Sequence, residues 1–460
     1  MIALSENVKK FRLFDAVLAA VCIVLVVESS APAAAIGNSQ FFWWIFLLIG
    51  FFLPYGLISA ELGTTYEDEG GIYDWVKRAF GNRWGSRVAW YYYINYTLWI
   101  GSLAVLFFDI ISQLTGWEPN VWISVLIELL FIWAVIFISN FPVAENKWIL
   151  NIAAFLKASI MLAIGGLGIY RAITVGPANE FTLISLLPSF DIEGLSYISV
   201  IIFNFLGFEV VTTFASQMND PSREIPKAII LGGIIIALFY LLSAFGISVA
   251  IPTEELTISS GIIESVMLLT GKTSGIIITL FGVAFLYTLV ANLASWSFGV
   301  NYVAKYAADQ NALPKVFGIE DKKGMPLGAN LINGIIASLI VIIAPFIPSQ
   351  DIFWSFFALN MVTLLMSYIL MFPAFLKLRK IDPDAVRPFK IGGSDLKLKI
   401  MSYVPMLLLI ISVIFSIVPL SASPEELSEK IPLLIGTVVA IIIGEIIAAG
   451  AVKNEKIKGD

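Results

Sequence analysis

The chain has 460 residues, of which 58% are hydrophobic and only 13% charged, with a mean hydropathy of +0.89 and a formal net charge of −6. That balance excludes an ordinary water-soluble globule and points to a polytopic membrane protein. A lone cysteine, Cys22, excludes an intramolecular disulfide framework, and the lack of any histidine excludes a histidine-ligated metal site and leaves proton chemistry to Asp, Glu, Lys or Tyr.

A membrane-crossing helix needs about 20 apolar residues. Twelve segments meet that requirement, at 14–37, 41–62, 87–110, 121–141, 148–170, 195–217, 228–251, 274–300, 328–347, 352–376, 401–420 and 431–452. The opening MIALSENVKKFRLF leads into the first of them without a small-residue cleavage site, so a retained span is expected rather than a removed signal peptide. The stretch 255–272 is polar enough for a surface helix. With both termini cytoplasmic, only Arg171, Lys272 and Lys430 fall outside and Lys157 falls within a span, while the rest of the 28 basic residues lie inside. This bias predicts an even number of spans in the plasma membrane, surrounded by the lipid bilayer, with both ends cytoplasmic. The acidic surplus sits largely in outer segments, and nucleic acid is not an implied partner.

Segment 1 contains VLVVESSAPAAAIG, in which Glu28, Ser29, Ser30 and Pro32 interrupt an apolar run. Proline lacks an N–H and disfavours helical geometry at the residue before it, so a break over Glu28 to Pro32 is expected, with a simple kink as the alternative. The inner half-helix would end near Glu28 with free carbonyls, and the outer half would begin near Ala31 with free amides. Such ends suit the ammonium and carboxylate of an amino acid. Glu61 closes segment 2 and reads as a helix-end contact. Glu128 and Glu445 fall mid-segment, while Asp15 and Asp109 lie near segment ends.

Lys157 lies nine residues into segment 5, about 13 Å deep at a rise of about 1.5 Å per residue. That depth is too great for easy snorkelling through a core of about 30 Å. An ionisable group there reads as functional, with a structural pair to a neighbouring carboxylate as the alternative. Segment 6, IIFNFLGFEVVTTF, carries Asn204, Gly207 and Glu209 in its middle. Segments 1 and 6 each begin a five-span set, and paired interruptions at corresponding places in two halves point to a transporter's central site. Phe203 and Phe205 flank Asn204 as candidate walls, with Phe203 as the candidate gate.

Three blocks then carry a family resemblance. ELGTTYEDEGGIYDWVKRAFGNRWG (61–85) resembles the end of span 2 and the following loop in the amino acid–polyamine–organocation superfamily. FNFLGFEVVTTFASQMNDPSREIPKAI (203–229) is similar to its sixth span and the loop after it, and NYVAKYAADQNALPKVFGIEDKKGMPLGANL (301–331) to its loop between spans 8 and 9. The resemblance implies an all-α, leucine-transporter-type fold of about twelve helices: inverted five-helix repeats at 14–170 and 195–376, two further helices at 401–452, and broken helices 1 and 6. It places substrate on Glu28, Ser29, Ser30, Phe203, Asn204 and Phe205, to which the free amides expected at the start of the outer half-helix add Ala31 as a substrate-binding residue. Glu209 falls at the position of the family's span-6 acid, and Lys157 looks like the span-5 lysine of proton-coupled members. Where family members commonly carry a Gly-Ser-Gly-like run, this chain has Glu28-Ser29-Ser30.

The function expected is secondary amino acid transport by alternating access, coupled to protons through Lys157 and Glu209. The alternative is a transporter or exchanger of polyamines, other amines or cationic amino acids, with Glu28 and Glu209 as counter-ions. A membrane enzyme is disfavoured by the lack of a catalytic, metal-binding or cofactor motif, and a receptor by the short loops. A channel fits a midplane break with a buried lysine less well than an occluding carrier does. Neither a cofactor nor a disulfide-linked subunit is expected.

Overall fold

The computed structural model describes residues 17, 24–66, 70–141, 143–188, 190, 192–209, 220–347, 351–421 and 423–459. Asp15, Cys22, the basic residues Lys9, Lys10 and Arg12, and the second part of segment 6 (210–217) lie outside the described residues. Among the described residues all regular structure is helical, and ten helices are long and apolar enough to cross a bilayer. These are span 2 (Gln40–Thr65), span 3 (Asn82–Thr115), span 4 (Val121–Ile138), span 5 (Asn151–Thr174) and span 7 (Ser222–Ala250), followed by span 8 (Ile276–Asp309), span 9 (Leu327–Phe346), span 10 (Ile352–Ile381), span 11 (Asp395–Ile417) and span 12 (Glu426–Ala451). Segments 1 and 6 are not among the ten, because each is described only as short pieces around an interruption.

Local chemistry sets the helix ends. The Asn120 side chain accepts the backbone N–H groups of Trp122 and Ile123 at the start of span 4, and Asp351 does the same for Trp354 at the start of span 10. Span 3 stops at Gly116, which takes the left-handed conformation that glycine tolerates best. Two sequence assignments change. The stretch after span 2, read as loop, holds a helix at Gly71–Phe80, with Ile72, Trp75, Val76 and Ala79 buried and Asp74 paired to Arg78 one turn on. Span 3 starts earlier than the expected 87, at Asn82, so Arg83 and Arg87 both belong to its first turns. The surface helix expected at 255–272 is Gly261–Thr270, and it buries Ile262, Ile263 and Val266.

Span 3 is the central post, with 83% of its apolar window buried inside the protein, whereas spans 11 and 12 bury 28% each and stand at the periphery. Lipid solvates leucine as well as a protein core does, so polar contacts and close packing must hold the bundle together. Thr97 donates to Asn333 Oδ1, Asn333 to Asn301 Oδ1 at 2.8 Å, and Asn330 to the Ile136 carbonyl at 2.8 Å, which ties spans 3, 8, 9 and 4. At the far end of span 2, Glu61 is buried and receives Arg379 Nε at 2.7 Å and the Ile391 N–H at 2.7 Å. This is the helix-end contact the sequence suggested. Beside it, the Tyr66 hydroxyl donates to Asp382 at 3.1 Å, and burial and that carboxylate push its pKa above the usual phenol value.

Candidate functional site

The first interruption lies at Leu25 and Val26, where Val26 is extended (φ −116°, ψ 101°). Val27–Ser29 follow as a 3-10 turn and Ser30–Ala34 as a short α-helix. The break therefore falls about a turn before the position expected from Pro32. The reason is that Pro32 occupies the first turn of the second half-helix, where an N–H has no intrahelical partner and proline costs nothing. At the observed break the Val26 peptide groups are not open. Tyr240 of span 7 accepts the Val26 N–H at 2.8 Å and donates to the Val26 carbonyl at 3.1 Å, and Ser29 Oγ donates to that same carbonyl at 2.7 Å. Tyr240 is fixed in turn by stacking on Trp44, with ring centroids 4.7 Å apart.

What the break offers instead is a side chain. Glu28 is 1% exposed, and its Oε1 accepts Asn292 Nδ2 of span 8 at 2.9 Å, while Oε2 has no hydrogen-bond partner among the described residues. The same Asn292 presents its Oδ1 to Lys157 Nζ of span 5 at 2.8 Å. The lysine predicted from depth is thus buried, as is the glutamate predicted from the interruption, and one amide lies between them. Ser30 Oγ faces Met161 Sδ of span 5 at 3.5 Å, and Ala31 is fully buried.

The second interruption falls where the sequence placed it. Helix Ile192–Phe203 ends in a turn at Asn204 and Phe205, followed by non-helical Leu206 and Gly207. Gly207 has φ +98°, and a β-carbon there would meet the Trp296 ring at 2.9 Å, so both conformation and contact demand glycine. The next contact of that β-carbon would be Val24, at 3.6 Å. The two interruptions therefore face each other. Asn204 is 1% exposed and neither amide atom has a hydrogen-bond partner among the described residues. An unsatisfied buried amide costs about 1–3 kcal/mol, and Asn204 shares this state with Asn82 and Asn360 among the described residues.

The two phenylalanines part company. Phe203 sits edge-on between Trp99 of span 3 (6.1 Å) and Phe357 of span 10 (5.3 Å). Phe205 points into a separate aromatic cluster, 5.2 Å from Trp44 and 5.1 Å from Phe52. Glu209 is enclosed by phenols from three spans: Tyr55 donates to Oε2, and Tyr368 and Tyr92 donate to Oε1 at 2.5 and 3.3 Å. Tyr55 also accepts the Gly207 N–H at 3.1 Å, which links this carboxylate to the break. Among the remaining acids, Glu128 is buried in span 4, whereas Glu445 is 40% exposed and paired with Arg87 at 2.8 Å.

Sequence reading missed Asn292, Tyr240 and the three tyrosines around Glu209. Asn292 carried the same signal as Asn204, a lone amide inside an apolar run (LVANLASW). The tyrosines carried none, since aromatic residues in a span are ordinarily packing.

Comparison with known proteins adds a lineage to this geometry. A family model described as amino acid permease matches residues 11–443. The probable agmatine/putrescine antiporter AguD of Lactococcus lactis subsp. lactis (strain IL1403) is 54% identical over 444 residues, covering 96% of this chain and 95% of that protein. A glutamate/gamma-aminobutyrate antiporter of the same strain is 23% identical over 458 residues, covering 95% and 90%. Among solved structures, MhsT in complex with L-phenylalanine superposes with a TM-score of 0.59 at 18% identity, over 87% of this chain and 98% of that one. This likeness speaks to the fold alone, and the fold is the leucine-transporter type with helices 1 and 6 broken.

Proposed function

Because the chain belongs to the amino acid permease family of the amino acid–polyamine–organocation superfamily, we propose that it exchanges small organic amines of the agmatine and putrescine class across the membrane by alternating access. The 54% identity to a probable agmatine/putrescine antiporter, spread over nearly the whole of both chains, favours this amine alternative over generic amino acid transport. The observation that carries the reading in the site itself is Glu28, a buried carboxylate with one oxygen unengaged. A zwitterion would need open peptide groups at the break for both its ends. Those of Val26 are taken by Tyr240 and Ser29, and a carboxylate side chain suits a substrate that carries ammonium groups and no acid. Asn204 would supply further hydrogen bonds, and Phe203 with Trp99 and Phe357 an apolar wall for the methylene chain and a gate. Ser29, Ser30 and Ala31 would back that site from the short helical pieces after the first break, whereas Phe205 belongs to the separate cluster with Trp44 and Phe52. The basic residues support a plasma-membrane orientation with both termini cytoplasmic.

Vesicles reconstituted with the protein and loaded with putrescine should take up labelled agmatine, and vesicles without internal amine should not. Agmatine and putrescine should compete with that uptake, and alanine should not. Uptake into empty vesicles, competed best by alanine, would overturn the proposal.

Lys157 supports a second reading, coupling to protons, because it is 1% exposed inside the bundle. Glu209, the other group assigned to that coupling, is enclosed by three phenol donors, which favours a fastening role. Accumulation by unloaded vesicles under an imposed proton gradient, lost in Lys157→Ala protein, would establish the coupled reading. Accumulation that persists in the variant would exclude it.

A further inference from the structure

We infer that Asn292 is a positioning residue that holds the Lys157 ammonium off Glu28 and so keeps one carboxylate oxygen for a cationic substrate. The inference rests on the amine-exchange reading and names how its site avoids neutralising itself.

The geometry is a three-residue chain, each member at most 1% exposed: Lys157 Nζ to Asn292 Oδ1 at 2.8 Å, and Asn292 Nδ2 to Glu28 Oε1 at 2.9 Å. A lysine ammonium can only donate, so it takes the amide oxygen and turns the amide nitrogen towards Glu28. The amide is thereby fixed at both ends. Away from water, an ammonium in direct contact with a carboxylate is strongly attracted to it. Such a contact would consume the group that an incoming amine needs. An asparagine prevents it because it is neutral, short, and has a donor and an acceptor on opposite sides of one carbon. The outcome is visible in Glu28, where Oε1 is engaged and Oε2 has no hydrogen-bond partner among the described residues. Lys157 meanwhile stays close enough to offset part of the carboxylate's charge.

Simple interhelical glue between spans 5, 8 and 1 is the competing account, and it makes a different prediction. If Asn292 is a spacer, its removal lets Lys157 close on Glu28, and deleting the lysine as well restores the site. Glue predicts no such rescue.

The test measures equilibrium binding of labelled putrescine to the purified full-length protein. Asn292→Ala should weaken binding at least about tenfold, the scale of a competing buried charge pair. The double variant Lys157→Met with Asn292→Ala should recover to within about threefold of the original protein. Asn292→Ala binding as well as the original, or a double variant no tighter than the single, would overturn the inference. If Asn292→Ala protein does not fold, Asn292→Ser alone and with Lys157→Met gives the same comparison. Failure of the underlying reading looks different. The unmodified protein then binds neither putrescine nor agmatine, and the inference falls with it. If that protein binds putrescine, Glu28→Gln does not, and rescue is absent, the spacer role alone is wrong.

Discussion

Glu28 and Glu209 are both buried glutamates beside an interrupted helix, yet their surroundings are opposite. Glu209 has phenol donors on both oxygens, drawn from spans 2, 3 and 10, and one of those phenols also holds the Gly207 N–H. Glu28 has one oxygen on Asn292 and the other without a hydrogen-bond partner among the described residues. A satisfied carboxylate fastens the helices that reach it. One left with capacity is costly to bury, and that cost is tolerated where a ligand makes up the deficit. Under the proposed amine exchange, the contrast would give recognition to Glu28 and mechanical fastening to Glu209, two roles that residue type alone could not separate.

Exchanging the two carboxylates for amides should break this symmetry most visibly. Glu28→Gln is expected to weaken amine binding at least about 30-fold, the lower end for truncating one partner of a buried charge pair, with the thermal midpoint held or raised. Equilibrium binding together with thermal unfolding checks both halves. Glu209→Gln should do the reverse, leaving affinity within about threefold while lowering stability by about 1–3 kcal/mol as charge-assisted hydrogen bonds are lost. If Glu209→Gln abolishes binding at an unchanged midpoint, the division of roles is wrong.

A smaller effect sharpens the comparison on the opposite side of the site. Asn204→Ala removes an amide that makes no hydrogen bond to the described residues, so affinity should fall about tenfold with no loss of stability. Loss of stability with intact binding would make Asn204 a packing residue. The smallest change expected is Tyr240→Phe, which strips the partner from the Val26 N–H and leaves the Val26 carbonyl to Ser29, and should lower stability by about 1 kcal/mol, read as a reduced unfolding midpoint.

Much of this was legible in the chain because a bilayer makes interruptions conspicuous. Gly207 and Asn204 stood out in an apolar run, and the helix does end there. Glu28 and Lys157 stood out by charge and depth, and one amide joins them. Less legible was the placement of the first break, since Pro32 signals a helix start as readily as a stop. Glu445 looked central because it lies in the middle of an apolar run. Its helix runs from Pro424 to Gly459, so the acid sits where the first turns of span 3 present Arg83 and Arg87. The phenol cage around Glu209 could not be read at all: its members are 37, 276 and more residues apart in the chain, at Tyr55, Tyr92 and Tyr368, and only the fold brings them together.

A structure determined with putrescine bound would test the central assignment most directly. The account predicts an ammonium nitrogen within hydrogen-bond distance of Glu28 Oε2, with the three phenols still on Glu209. An amine lodged against Glu209, with its tyrosines displaced and Glu28 untouched, would contradict it.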